Sequence, residues 1–374
     1  MNKGHFSWNC STSGWIAALG VLCLSLGSCQ AGSDPAPSMI VFRGSSDASA
    51  AVALNDTLLV EADDENNILR IYDRTHPGLP VSTYDLSPYL QPDPDGPEAD
   101  IEGAARVGNR IYWITSHGRN KDGKLRPSRY RFFALDLAVD AGTTKFTPVG
   151  KPCSTLLQQL LANPAAKSLN LLAATRLGED LPKKQREKLA PKDDGLNIEA
   201  LAASPDGKTL YIGFRNPRPI DPKTGKPSAL VVPLTNPDQV LSGQPARFGP
   251  PLLWNLDGLG LRSMDYSPVH QCFWLVAGRH DEKSDFALAR WSGDPTAQPT
   301  IVRPLKLADD FGPEALFFFD SPDLWLLSDD GTRMIPVDSP ADCSDELVNG
   351  CCENKLLTDP NKRSFRTITL PMKP

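Results

Sequence analysis

The 374-residue chain has no Gly-rich nucleotide loop, no Gly-x-Ser-x-Gly elbow and no His-Glu-x-x-His helix. These absences remove phosphate-cradling loops, elbow-type serine hydrolases and helix-borne zinc peptidases. A basic stripe is missing as well: the net charge is −6, and no Lys/Arg cluster is dense enough to follow a phosphate backbone. Nucleic acid is therefore excluded as a partner. Turn formers, in contrast, are plentiful, with 35 Pro and 28 Gly set among short apolar runs, a composition that suits an all-β fold.

The first residues read as an export signal. Lys3 stands in a short polar start, an apolar stretch runs from Trp15 to Leu26, and Leu26-Gly27-Ser28-Cys29 follows. That tetrad resembles the bacterial lipobox. The resemblance implies that residues 1–29 form the signal, that Cys29 becomes the lipidated first mature residue, and that the protein is tethered to a membrane without a spanning helix. Gln30, where an Asp would signal retention, points to the outer membrane by the same resemblance; cleavage near Ala31 with free secretion into the periplasm or beyond is the alternative. Residues 30–38 are then a flexible tether. The remaining thiols, Cys153, Cys272, Cys343, Cys351 and Cys352, cannot all pair in an oxidising compartment. Adjacent cysteines rarely bond to each other, so Cys343 is expected to close a local loop with Cys351 or Cys352.

An internal repeat decides the expected architecture. Asp100-Ile101-Glu102-Gly103-Ala104 leads to Arg110–Ile114 and then Arg131–Leu135; Asn197-Ile198-Glu199-Ala200-Leu201 leads to Leu210–Phe214 and Ala229–Val232. Further copies run through Leu261–Asp265, Phe273–Val276 and Phe286–Ala289, and through Pro313–Leu316, Leu324–Leu327 and Arg333–Ile335, with a weaker first copy at Ala51–Ile71. Short strands at this spacing fit a β-propeller of four-stranded blades over residues 39–374. Five blades are counted, or six if residues 39–43 and Phe365–Leu370 belong to different ones. Residues 153–195 interrupt the repeat with helical segments at Leu156–Leu161 and Lys184–Leu189, an insertion expected to overhang one rim as a mobile lid.

The runs Leu196–Ala202, Ile212-Gly213-Phe214-Arg215-Asn216-Pro217, Gly258–Arg262 and Gly312–Leu316 resemble the bacterial family catalogued as domain of unknown function 3616 (DUF3616). The similarity covers about residues 45–340, and implies a β-propeller with no assigned reaction. More distantly, the Glu-Gly and Glu-Ala openings are similar to phytase-like propellers, which include calcium-dependent phosphate-ester hydrolases. This sequence departs from them by placing Arg262 in the fourth blade and Ala48 in the first where an acidic residue would stand.

Antiparallel blade strands bring the start of the first strand and the end of the second to one rim. Glu102, Glu199, Arg262 and Glu314 are thus expected to meet His117, Arg119, Arg215, Arg279, His280, Asp281, Asp329 and Asp330 around one axial mouth. Glu102, Glu199 and Glu314 are the candidate ligands of a divalent cation such as calcium, and the Arg and His side chains the candidate contacts of a small anionic ligand or an envelope partner. Three classes follow: a monomeric binding propeller, a metal-assisted hydrolase of phosphate esters, and a carbohydrate-active enzyme using two of the glutamates. A purely structural arrangement, in which each Glu pairs with an Arg of the next blade, competes with all three.

Overall fold

The computed structural model describes residues 38–140, 143–281, 285–308 and 310–373; the expected signal segment, Cys29 and the tether up to residue 37 lie outside the described residues. Five antiparallel four-stranded sheets follow one another. From first strand to last they are Ala48–Ala53, Leu58–Asp63, Ile68–Asp73 and Ser82–Asp85 in blade one, and Ile101–Val107, Arg110–Thr115, Phe132–Asp140 and Thr143–Cys153 in blade two. Blade three contains Asn197–Ala203, Leu210–Asn216, Ala229–Leu234 and Leu252–Trp254, and blade four Gly260–Ser267, Cys272–Gly278, Phe286–Trp291 and Thr300–Pro304. Blade five consists of Gly312–Phe318, Leu324–Asp329 and Ser364–Leu370, completed at its outer edge by the N-terminal strand Ser38–Arg43. First strands touch the first strands of both neighbouring blades around a closed ring.

Alternation along each strand builds the core, because successive side chains leave opposite faces. Tyr112 and Phe132 pack towards blade three, whereas their neighbours Trp113 and Phe133 pack towards blade one. Each blade is therefore apolar on both faces, and five apolar layers separate the blades. Small residues permit the close approach near the axis: a Cβ at Gly103 would lie 3.0 Å from Leu201 Cβ in the next blade.

The count of five, rather than six, is settled by the pairing of Ser38–Arg43 with Ser364–Leu370 in one sheet. Ser38, expected in the tether, is the first residue of this closing strand. Arg333–Ile335 is not the third strand of the last blade. Met334–Pro336 instead pairs with Cys351–Glu353 in a separate two-stranded excursion, stapled by a Cys343–Cys352 disulfide that leaves Cys351 free. The repeat misled here because any short apolar run after a second strand mimics a third.

The insertion has two parts. Leu156–Ala162 and Leu171–Thr175 are helices whose leucines pack with Phe132, Leu230, Leu234 and Leu241 between blades two and three, so this half is a wedge and not a lid. The later half returns to the rim, where Asn216 Nδ2 donates to the carbonyls of Pro191 and Asp193 at 3.3 and 2.9 Å. Arg119 ties the turn between the halves by donating to the carbonyls of Gly123, Thr175, Arg176 and Glu179. Among the described residues no helix is long and apolar enough to cross a membrane.

Candidate functional site: a divided axial mouth

Every first strand carries a register shift near its start, and one residue at each is left out of the ladder: Ser49, Glu102, Glu199, Arg262 and Glu314. Such bulges re-aim a side chain, which explains why charge recurs where the blade needs only a turn. The first-blade counterpart of the glutamates is Ser49, not Ala48, because Ala48 pairs with Asp63. Ser49 Oγ lies within hydrogen-bond reach of the carbonyls of Ala62 and Ile101 and donates its one proton between them, joining blades one and two.

Blades three to five form an arginine-carboxylate half. Arg215 Nη1 donates to Glu199 Oε1 at 2.8 Å, and its Nε and Nη2 donate to the His280 carbonyl. Arg262 Nε lies 3.1 Å from Glu199 Oε2, an ion pair without hydrogen-bond alignment, while its Nη2 contacts Glu314 Oε1. Asn197 Nδ2 also donates to Glu199 Oε1 at 2.6 Å. Both oxygens of Glu199 are thus engaged. Burial and the neighbouring Arg215 bring Arg262 down to about 10, offset by the attraction of Glu199 and Glu102.

Blades one and two, with the turn of blade five, form an acidic half that the sequence reading missed. Donor oxygens of Asp64, Asp100 and Glu102 lie within 4.8 Å of one another, as do those of Asp47, Asp64 and Glu65. Asp64 follows the second strand of blade one, Asp100 precedes the first strand of blade two in a left-handed conformation (φ 61°), and Asp47 bridges to Asp329 of blade five. Gly331 allows that approach, since a Cβ there would sit 1.7 Å from Asp47 Oδ1. Arg129 donates to Asp100 Oδ2 at 2.7 Å and contacts Glu98; Lys355 Nζ lies 2.6 Å from Glu65 and 3.9 Å from Asp47. Asp64 Oδ1 is buried with no hydrogen-bond partner, and among the described residues Glu102 accepts no hydrogen bond. Burial first, then repulsion from Asp329 and Asp63, pushes Asp47 up to about 8. Burial likewise holds Asp64 well above the usual range, with Asp47 and Asp329 adding to it, and Glu102 well above, with Asp100 and Glu199 adding.

The expected trio of cation ligands therefore divides. Glu102 belongs to the acidic half, whereas Glu199 and Glu314 are bound to arginine. His117 is enclosed: it is fully buried, its Nδ1 lies 2.8 Å from the Thr115 carbonyl, its ring stands against Tyr130, and burial lowers it to about 4. It props the Ser116–Arg119 turn and does not face the mouth. His280 is half-buried, and Arg279, about one-third exposed, is held bidentately by Asp281 at 2.6 and 2.8 Å. One signal for the acidic half was present, since Glu98, Asp100 and Glu102 alternate along one stretch. Asp47, Asp64 and Lys355 join them only through folding.

The fold is a five-bladed β-propeller whose first strands carry charged side chains at matching bulge positions in four of the five blades. No family model and no curated protein matches the chain. Among solved structures, it is similar to a glucose-dehydrogenase-type oxidoreductase from Thermus thermophilus, with 12% identity, 89% of this chain and 100% of that one covered and a TM-score of 0.38. A luciferin-regenerating enzyme matches at 10% identity, 90% and 96% coverage and a TM-score of 0.37. The β-propeller domain of Cps50 (Swd1) from Myceliophteria thermophila matches at 10% identity, 78% and 96% coverage and a TM-score of 0.33.

Proposed function

We propose that the chain is an exported, envelope-bound monomeric propeller that holds a divalent cation of the calcium class through Asp64, Asp100 and Glu102, and presents it to a small anionic ligand or an anionic group on an envelope partner. The carrying observation is the clustering of the three carboxylates. Hard cations of this class take oxygens at about 2.3–2.6 Å, so ligands on opposite sides of one ion stand roughly 5 Å apart. The mutual limit of 4.8 Å fits that shell, and the unpartnered Asp64 oxygen supplies a lone pair that no protein donor uses. A cation also offsets the burial and the repulsion that raise the hold of these groups on their protons.

Hydrolysis of phosphate esters is the second class, but Arg215 and Arg262, the cations best placed to hold an ester, are committed to Glu199 and Glu314. The reading is therefore binding. Export is supported by the Cys343–Cys352 disulfide, a bond that persists in oxidising compartments. Equilibrium dialysis with calcium and magnesium tests the site: wild type takes up one ion per chain, and Asp64→Asn and Glu102→Gln abolish uptake while their melting temperatures in chelator stay unchanged or rise. Equal uptake by wild type and both variants overturns the site. Cys29→Ser should release the protein from membranes, and unchanged fractionation removes the anchor.

A further inference from the structure

Asp64 belongs to both carboxylate groups, Asp64–Asp100–Glu102 and Asp47–Asp64–Glu65. Two divalent ions held there would share Asp64, the arrangement of two-metal sites in which the ions stand about 3.5–4 Å apart. The second group, however, already has a cation. Lys355 Nζ lies 2.6 Å from Glu65 Oε1 and 3.9 Å from Asp47 Oδ1, and the attraction of Glu65, Asp47 and Asp64 strengthens its hold on its proton. Its own backbone lies in the excursion and is tied to the last blade and to the turn after that blade's second strand. Lys355 N donates to the Gly331 carbonyl, Asn354 Nδ2 donates to the carbonyls of Asp330 and Ser364, and the Cys343–Cys352 disulfide closes the loop just before it. An ammonium so anchored is not a wandering surface lysine.

We infer that Lys355 is the determinant of cation number: a tethered ammonium that fills the second position, so that the mouth takes one divalent ion instead of two. This rests on the cation-binding reading. It has a consequence for the ligand. An ion in the first group and the Lys355 ammonium beside Asp47 and Glu65 of the second make a two-point receptor for a group with two anionic oxygens, such as a carboxylate or phosphate, without the paired metals of an in-line hydrolase. The ammonium also limits affinity, because a nearby like charge opposes the ion.

The experiment is calcium titration, by calorimetry and by dialysis, of the full chain and of Lys355→Met, Lys355→Gln and Lys355→Arg. Methionine keeps the length of the stem and removes the charge. Wild type and Lys355→Arg are expected to bind one calcium per chain, and Lys355→Met and Lys355→Gln two, or one about tenfold tighter. In chelator both neutral variants should melt below wild type, since Asp47 and Glu65 lose their counter-charge, and calcium should raise their melting temperatures more than it raises that of wild type. If wild type binds calcium and the neutral variants match it in stoichiometry, affinity and calcium-induced melting shift, this inference fails while the cation site stands. If neither wild type nor any variant binds, both fail. Binding by the neutral variants alone would uphold Lys355 as occupant of the cation position and overturn the proposed wild-type function.

Discussion

Ser45 has one hydroxyl proton and two carboxylates to serve. Its Oγ lies 2.8 Å from Glu61 Oε1 and 2.7 Å from Asp63 Oδ2. Both contacts are satisfied only if one of the two carboxyls carries a proton, and burial favours Glu61, which then donates to Ser45 while Ser45 donates to Asp63. Glu61 is fully buried, its second oxygen has no partner, and burial, aided by Asp63, pushes it up to about 8 against the opposing pull of Arg70. The folded state thus keeps a proton that the unfolded chain loses near pH ~4.3. Stability contributed by neutral Glu61 is full below that value, falls as pH rises to about 8, and is flat above it. Glu61→Gln, which keeps the neutral donor at every pH, should raise the melting temperature at pH 8.5 by about 2–4 °C and leave it nearly unchanged at pH 4. Melts of equal height at pH 8.5 would show that Glu61 is ionised without cost, contrary to its burial.

Among the elements, the closing strand and the insertion carry separable tasks. Phe42 of the closing strand packs between Tyr72 of blade one and Phe365 of blade five, at centroid distances of 5.0 and 5.4 Å. Phe42→Ala should cost about 3–5 kcal/mol in denaturant unfolding, because it leaves a cavity at the seam where the ring is joined. Arg119 acts locally. Its four carbonyl acceptors lie in the turn at Gly123 and the stretch Thr175–Glu179, so Arg119→Ala should accelerate amide exchange and proteolysis across residues 175–195 while the blades keep their protection. Exchange that instead rises equally in every blade would mean that the insertion is part of the global folding unit. The wedge helices should keep or lose protection together with the blades, since their leucines share the core between blades two and three.

For the whole molecule the mouth is a ring of charge in two unequal halves. Glu199 and Glu314 each have an arginine; Asp47, Asp64, Asp100 and Glu102 of blades one and two, with Asp329 of blade five, share Arg129, Lys355 and the distant flank of Arg262. Burial first, and mutual repulsion after it, strengthen the hold of these carboxyls on their protons, and a bound cation works against both. Calcium affinity should therefore increase as pH rises, with proton release read from calorimetric enthalpies in buffers of different ionisation heat. Affinity independent of pH between 6 and 9 would contradict the raised positions of Asp47, Asp64 and Glu102. By itself the sequence determined the repeating blades, the helical interruption at 153–195 and the recurrence of charge at Glu102, Glu199, Arg262 and Glu314, because alternation and turn chemistry are local properties that survive in a string of letters. Only the tertiary structure decided the blade count, which depends on Ser38–Arg43 meeting Ser364–Leu370 across the length of the chain. It alone also decided the partners of each charge. Asp47, Asp64, Asp100 and Lys355 come from two different blades and an excursion, and what a carboxylate does is set by the charges within a few ångströms of it, a distance that ring closure creates and sequence spacing does not record.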